Sequence, residues 1–275
     1  MDSTSVFLSR AQALGLRQAC IDALVAGGID TAGKLAFCSA YQVGSTDERA
    51  LIAVLDDALG TPSTLGDKAS FRRLFFECAT MAMADLKNKV ERTDDSKARK
   101  IPPPERSARY NLQVARLVGM SLLDEHECSH ALLDDVAQQR EDDVLKYLPV
   151  ERCTKRMQEL TAGKDKSAGD IVADTSTELR TRAALCRRAL AYDQSNLMSF
   201  EIMEKWQNYM LAQMMRVAPE KLKAVSMALI LQADKHLFMA LAGLTRSGIA
   251  PSIAGVKPME THMDAARADP RLQCC

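Results

Sequence analysis

The sequence predicts an all-α protein, a small N-terminal helical bundle followed by a larger antiparallel bundle, and three observations carry that prediction. Only 5% of the 275 residues are aromatic while Met numbers 14, and straight, unbranched side chains lose little rotamer freedom in a helix. Apolar residues recur at steps of three and four along several segments. Glycine, proline and small hydroxyl residues stand between those segments, where helices stop and start. The length suits two domains, each able to bury a core without disulfide staples.

Near the N-terminus, Leu14, Ala19, Leu24 and Val25 place a short helix over Ser9–Ala26, stopped by Gly27-Gly28, because glycine takes the left-handed conformation that ends helices. Thr31 reads as the N-cap of a second helix through Leu35, Ala36 and Phe37, and Leu51, Ile52, Val54, Leu55 and Leu59 line a third that ends at Gly60-Thr61-Pro62. Short helices joined by Gly-Ile-Asp-Thr resemble SAM-like and helix-hairpin-helix modules. That likeness implies contact with DNA phosphates or a partner helix, with Lys34 the nearby cation; the plainer reading is packing of a small bundle. Phe71, Leu74, Phe75, Cys78, Met81 and Ala82 share one face of an amphipathic helix over residues 68–92.

Lys87 to Lys100 is polar and lacks periodicity, and Pro102-Pro103-Pro104 finishes it, since proline removes an amide donor and biases its predecessor away from helix. A linker over 93–104 therefore divides an N-terminal domain, 1–92, from a helical bundle over 105–250. Helix resumes from Glu105 to about Val118 and again after Ser129. Past Pro149 a short helix carries Cys153 to Leu160, and Thr175 or Ser176 caps a long helix with Glu178 in its first turn. Leu179, Leu185, Cys186, Ala189 and Leu190 lead across a break near Ser195-Asn196 to Leu197, Phe200, Met203, Trp206, Met210 and Met214. Pro219 opens the last long helix, in which Leu222, Val225, Leu229, Ala233, Leu237, Leu241 and Leu244 recur, and 251–275 reads as an irregular tail.

With 36 basic and 36 acidic residues the formal charge is zero, so a surface for nucleic acid has to come from a local patch. The best patch flanks the prolines: Lys97, Arg99, Lys100, Arg106, Arg109 and Arg116 could neutralise phosphates. Asp124, Glu125, Glu127, Asp134, Asp135, Glu141, Asp142 and Asp143 follow at once with the opposite sign, an arrangement that suits head-to-tail self-association or simply an internally balanced surface. Eight cysteines without a Cys-x-x-Cys pair read as free thiols of an intracellular protein, cytoplasmic or nuclear. No run approaches the roughly 18 apolar residues of a membrane span. The terminal Cys274-Cys275 has the form of a doubly prenylated tail, but no phosphate-binding loop accompanies it, and no prenyl anchor is expected.

Catalysis has one foothold. His126-Glu127-Cys128-Ser129-His130 matches the His-Glu-x-x-His of zinc peptidases, in which two histidines four apart on a helix hold zinc and the glutamate is the general base. A third ligand would have to be a glutamate such as Glu151, Glu159 or Glu178. Against this, Ser129 is placed to cap a helix that starts at His130, after the first supposed ligand. His236 and His262 stand alone, and the Met and aromatic residues around Phe200, Trp206 and Tyr209 read as core.

Several short signatures coincide: Ile101-Pro102-Pro103 with Glu105-Arg106 and Arg109, Leu117-x-Gly119, Ser129-His130-x-Leu132, Tyr147-x-Pro149, Cys153-Thr154-x-Arg156-x-x-Glu159, Asp174 to Leu179, and Arg187-Arg188-Ala189-Leu190-Ala191-x-Asp193-Gln194. Over about residues 100–245 they resemble a helical region of uncharacterised dinoflagellate proteins, some retroelement-associated, where it precedes a Cys-Cys-Cys-His zinc finger and sometimes a reverse transcriptase. The resemblance implies a Gag-like, nucleic-acid-associated module and brings no catalytic residues; this chain reaches Cys275 without that finger. The leading expectation is a non-enzymatic interaction module that self-associates and binds RNA or DNA through the basic patch, without a cofactor. The alternatives are a zinc hydrolase on His126, Glu127 and His130, and a protein-binding scaffold without nucleic acid.

Overall fold

The computed structural model describes residues 3–91, 100–162, 171–217 and 224–273, and among them it is all-α: fourteen α-helices, one 3-10 helix and no strand. The chain divides into two compact units, Met1–Ser96 with Pro102–Ala108, and Lys97–Ile101 with Arg109–Cys275.

The first unit opens with α1 (Thr4–Ala13) and α2 (Gln18–Ala26). These replace the single helix expected over Ser9–Ala26, because Gly15 turns the chain at φ +76°, a conformation that favours glycine. Thr31 caps α3 (Ala32–Ala36), its hydroxyl accepting from the Lys34 amide. α4 (Arg49–Leu59) ends on left-handed Gly60, and α5 (Leu65–Glu91) follows. Thr64 and Asp67 bond reciprocally at the start of α5 as a capping box. Asp67 also accepts two bonds from Arg17, at 2.7 and 2.6 Å, which ties the α1–α2 joint to α5. Phe7, Ile21, Leu24, Leu35, Leu55, Phe71 and Phe75 form the core.

α6 (Pro103–Arg116) has residues in both units. The second unit continues with α7 (His130–Asp142), η1 (Val150–Arg152), α8 (Arg156–Thr161), α9 (Glu178–Gln194), α10 (Phe200–Met214) and α11 (Met227–Leu244). Thr177, not Thr175 or Ser176, caps α9. Ser226 caps α11, so that helix does not open at Pro219, which with Leu222 lies outside the described residues. The tail is not irregular: α12 (Pro258–Thr261), α13 (Met263–Arg267) and α14 (Pro270–Gln273) form there, and Met259, Met263 and Ala266 join the core of the second unit. Glu260 holds α12 in place by accepting from the amide and hydroxyl of Ser199, at 2.6 and 2.5 Å, just ahead of α10. Asp143, past the end of α7, accepts from the amides of Ile249 and Ala250. The turn is so close that a Cβ on Gly248 (φ +129°) would fall 2.3 Å from the Asp143 carboxylate.

α9 is the centre of the second unit, with Arg188 and Tyr192 among its wholly buried side chains. Arg188 Nη2 meets Asp234 Oδ1 of α11 at 2.6 Å with both side chains closed to solvent. Its Nη1 donates to the Leu148 carbonyl, and its guanidinium lies 4.5 Å from the ring centre of Phe238. By length and composition α11 could cross a membrane, which amends the expectation that no segment reaches that size; its inner face, Ile230, Asp234, Leu237, Phe238 and Leu241, is buried in this core.

Removing one partner of such a pair strands the other charge away from water. Asp234→Ala is therefore expected to destabilise the second unit by about 3–5 kcal/mol, while Arg188→Met combined with Asp234→Leu loses much less. Urea unfolding followed by circular dichroism separates the two, and a double variant weaker than the single one would contradict this account.

Candidate functional site

The proline-led basic stretch is built only in part as the sequence suggested. Lys97 and Arg99 lie outside the described residues. Lys100 is exposed, and the next residue, Ile101, is anchored through its amide to Asp134 Oδ1 at 2.9 Å. Arg106 and Arg109 are half-buried on α6. Arg116 is paired with the buried carboxylate of Asp193 and lies 3.6 Å from Glu201. Asp193 also accepts from Gln113 Nε2 at 2.6 Å and, at the start of α10, from the Phe200 amide at 3.1 Å. Arg116, read from the sequence as part of the basic patch, thus balances a carboxylate that joins α6, α9 and α10. At the N-terminal hairpin, Lys34 Nζ is likewise matched by Asp30 Oδ1 at 2.6 Å.

The acidic run is similarly engaged. Asp134 is buried, Glu125 pairs with Lys155, and Asp143 holds the turn after α11.

The zinc reading needs His126 and His130 on one helical face, and the structure does not provide it. His126 sits in the turn before α7, which begins at His130. Ser129 caps that helix through the Leu132 amide at 3.1 Å and shares a 2.7 Å hydrogen bond with the Thr154 hydroxyl. Glu159, a candidate third ligand, instead accepts from the His130 and Ala131 amides at 2.9 and 2.8 Å and from Arg156 at 2.5 Å. It occupies the positive end of α7, where exposed amides attract negative charge. Glu151 lies in η1 and Glu178 in the first turn of α9. Among the described residues no three His, Cys, Asp or Glu side chains gather as metal ligands do.

The described thiols are free, and burial raises them: Cys78 and Cys153 to about 12, Cys186 to about 11, and Cys128 further. A thiol so protonated is a poor nucleophile. Arg187, nearly closed to solvent, donates to the backbone carbonyls of Cys153 and Glu125 at 2.8 and 2.6 Å, binding the segments on either side of α7 to α9.

A concave feature that the sequence reading did not anticipate lies in the first unit. A cleft of about 550 Å³ opens among α1, α3 and α5, with Phe7, Leu74 and Cys78 on its floor and Val6, Phe76 and Met81 among its walls. Arg10 and Glu77 also line it, bonded to each other at 2.5 and 2.7 Å, so the one cation and one anion there cancel. Periodicity placed Met81 on the apolar face of this helix; it is 44% exposed, and further along α5 Met83 and Leu86 are 69% and 46% exposed.

Burial raises the Glu159 carboxyl, but the amides of Ala131 and His130 and the Arg156 guanidinium outweigh it and hold the group below its ordinary value. A depressed carboxyl adds stability above its unfolded value, near ~4.3, and loses it as pH falls through the folded value. Glu159→Gln should consequently lower the melting temperature at pH 7, with the gap to the parent protein closing towards pH 3; a gap independent of pH would exclude this role. For His126, Glu127 and His130, elemental analysis of the purified protein should find no stoichiometric zinc, and one equivalent retained through dialysis would restore the hydrolase. Comparison with known proteins found no matching family model, no matching curated protein and no matching solved structure.

Proposed function

We propose that the chain is a non-enzymatic helical interaction module that self-associates through its first unit, the self-associating part of the Gag-like expectation. The observation that carries this is the character of α5: one helix walls an apolar cleft and, within the next turn and a half, holds Met83 and Leu86 out to solvent. A two-fold interface uses the same patch on both copies, so it needs a surface that offers both a hole and the side chains to fill it. Two copies laid antiparallel along α5 meet that requirement. Flexible, polarisable methionine suits such adaptable apolar contact. The Arg10–Glu77 pair leaves the cleft without net charge to repel a second copy.

Light scattering across protein concentration tests this. The parent protein should pass from monomer to dimer, and Met81→Asp with Met83→Asp should weaken association at least tenfold while leaving the melting temperature in place, since both side chains are exposed. A parent protein that stays monomeric at every concentration removes the proposal; mass that rises only when RNA is added would transfer assembly to nucleic acid.

A further inference from the structure

In the second unit, α9, α10 and α13 bring an aromatic ring and several cations to one surface. Trp206 and Tyr209 of α10 stack with centroids 5.8 Å apart and planes 27° from parallel. The Arg267 guanidinium of α13 lies over both rings, 5.8 Å from Trp206 and 5.5 Å from Tyr209. Trp206 is buried, whereas Tyr209 is 51% exposed, so the outer ring of the stack remains open to solvent. On the same helix, the neighbouring Asn208 accepts from Arg182 of α9 through its Oδ1 at 3.1 Å, which fixes a second guanidinium against the residue that precedes Tyr209. Lys205 is one turn back along the same exposed stripe of α10, and exposed Arg216 follows the helix end. Anions on the same elements are Glu201, exposed one turn before Lys205, Glu204, half-buried, and Asp264, 3.7 Å from Arg267.

We infer that this surface binds single-stranded nucleic acid, with a base stacking on Tyr209 and Arg182, Lys205 and Arg267 meeting the adjoining phosphates. A rigid aromatic already backed by a second ring and a guanidinium offers a preformed stacking face, and flanking cations follow a sugar-phosphate backbone. Every base has such a face, so recognition is tolerant of sequence. A duplex keeps its bases stacked internally and presents none of them to Tyr209. The inference is independent of dimerisation through α5, since its residues all belong to the other unit.

The molecule carries its own reporter: Trp206 is the single tryptophan of the chain and underlies the proposed stack. Titrating the full chain with a 12-nucleotide oligouridylate at low salt should change its emission saturably, and the same-length RNA duplex should bind more weakly. Tyr209→Phe should retain affinity and Tyr209→Ala lose roughly 5- to 150-fold. Arg182→Gln, at an exposed position, should lower the slope of log affinity against log salt by about 0.7, and it remains informative if the alanine variant folds poorly. Neutralising Arg106 and Arg109 should leave the emission change intact. Absence of any oligouridylate-dependent change, equal binding of Tyr209→Ala and Tyr209→Phe, or loss that follows Arg106 and Arg109 in place of Tyr209 and Arg182 would each overturn the inference.

Discussion

The buried pair of Arg188 and Asp234 is the constraint around which the second unit is arranged. A guanidinium at the centre of a helical core is tolerable only with an anion and further acceptors within reach. One sequence position thereby dictates where α11 must lie, where the Leu148 carbonyl must point and which face Phe238 must show. The adjacent Arg187 fastens the Cys153 and Glu125 carbonyls. Two consecutive arginines so bind different neighbours of α9, and the helix accepts burial on almost every face of its C-terminal half.

A second pattern runs through the second unit. Carboxylates from one element satisfy the free amides at the ends of another: Glu159 for α7, Asp193 and Glu260 near the start of α10, Asp143 for the turn after α11. Each such contact meets donors that a helix or turn leaves open. The balanced charge of the chain is therefore to a considerable degree internal, with acids committed to backbone amides and arginines to carbonyls or acids. Surface fields are correspondingly local.

Local signals in the sequence were legible. Thr31 and Ser129 cap their helices as their neighbours suggested, and Gly60 ends α4, because capping and left-handed turns are decided within a few residues. Gly15 was overlooked since a periodic pattern on both sides masked a single glycine. The tail was misread because three short helices carry too few turns to show a period, and their order comes from docking on α11 and on Ser199. Arg116 could not be assigned from sequence either, as its partner is 77 residues away. For α5 the pattern correctly named an apolar stripe, but periodicity reports which residues share a face and says nothing of whether another element covers it. The cleft and the exposed methionines follow from that gap.

The docking of α12 and α13 also bears on synthesis. Met259, Met263 and Ala266 fill a core whose other walls begin as far back as Ile101, and long-range contacts of this kind form late. While a ribosome is still translating the first 250 residues, the second unit is a basin without its last side, with the apolar floor beneath α11 and α10 open to water or to a chaperone. The first unit, complete from residues much nearer the N-terminus, can fold by then. The second unit is thus a module whose core is closed by residues far along its own sequence, whereas the first unit draws its core from Phe7 to Cys78.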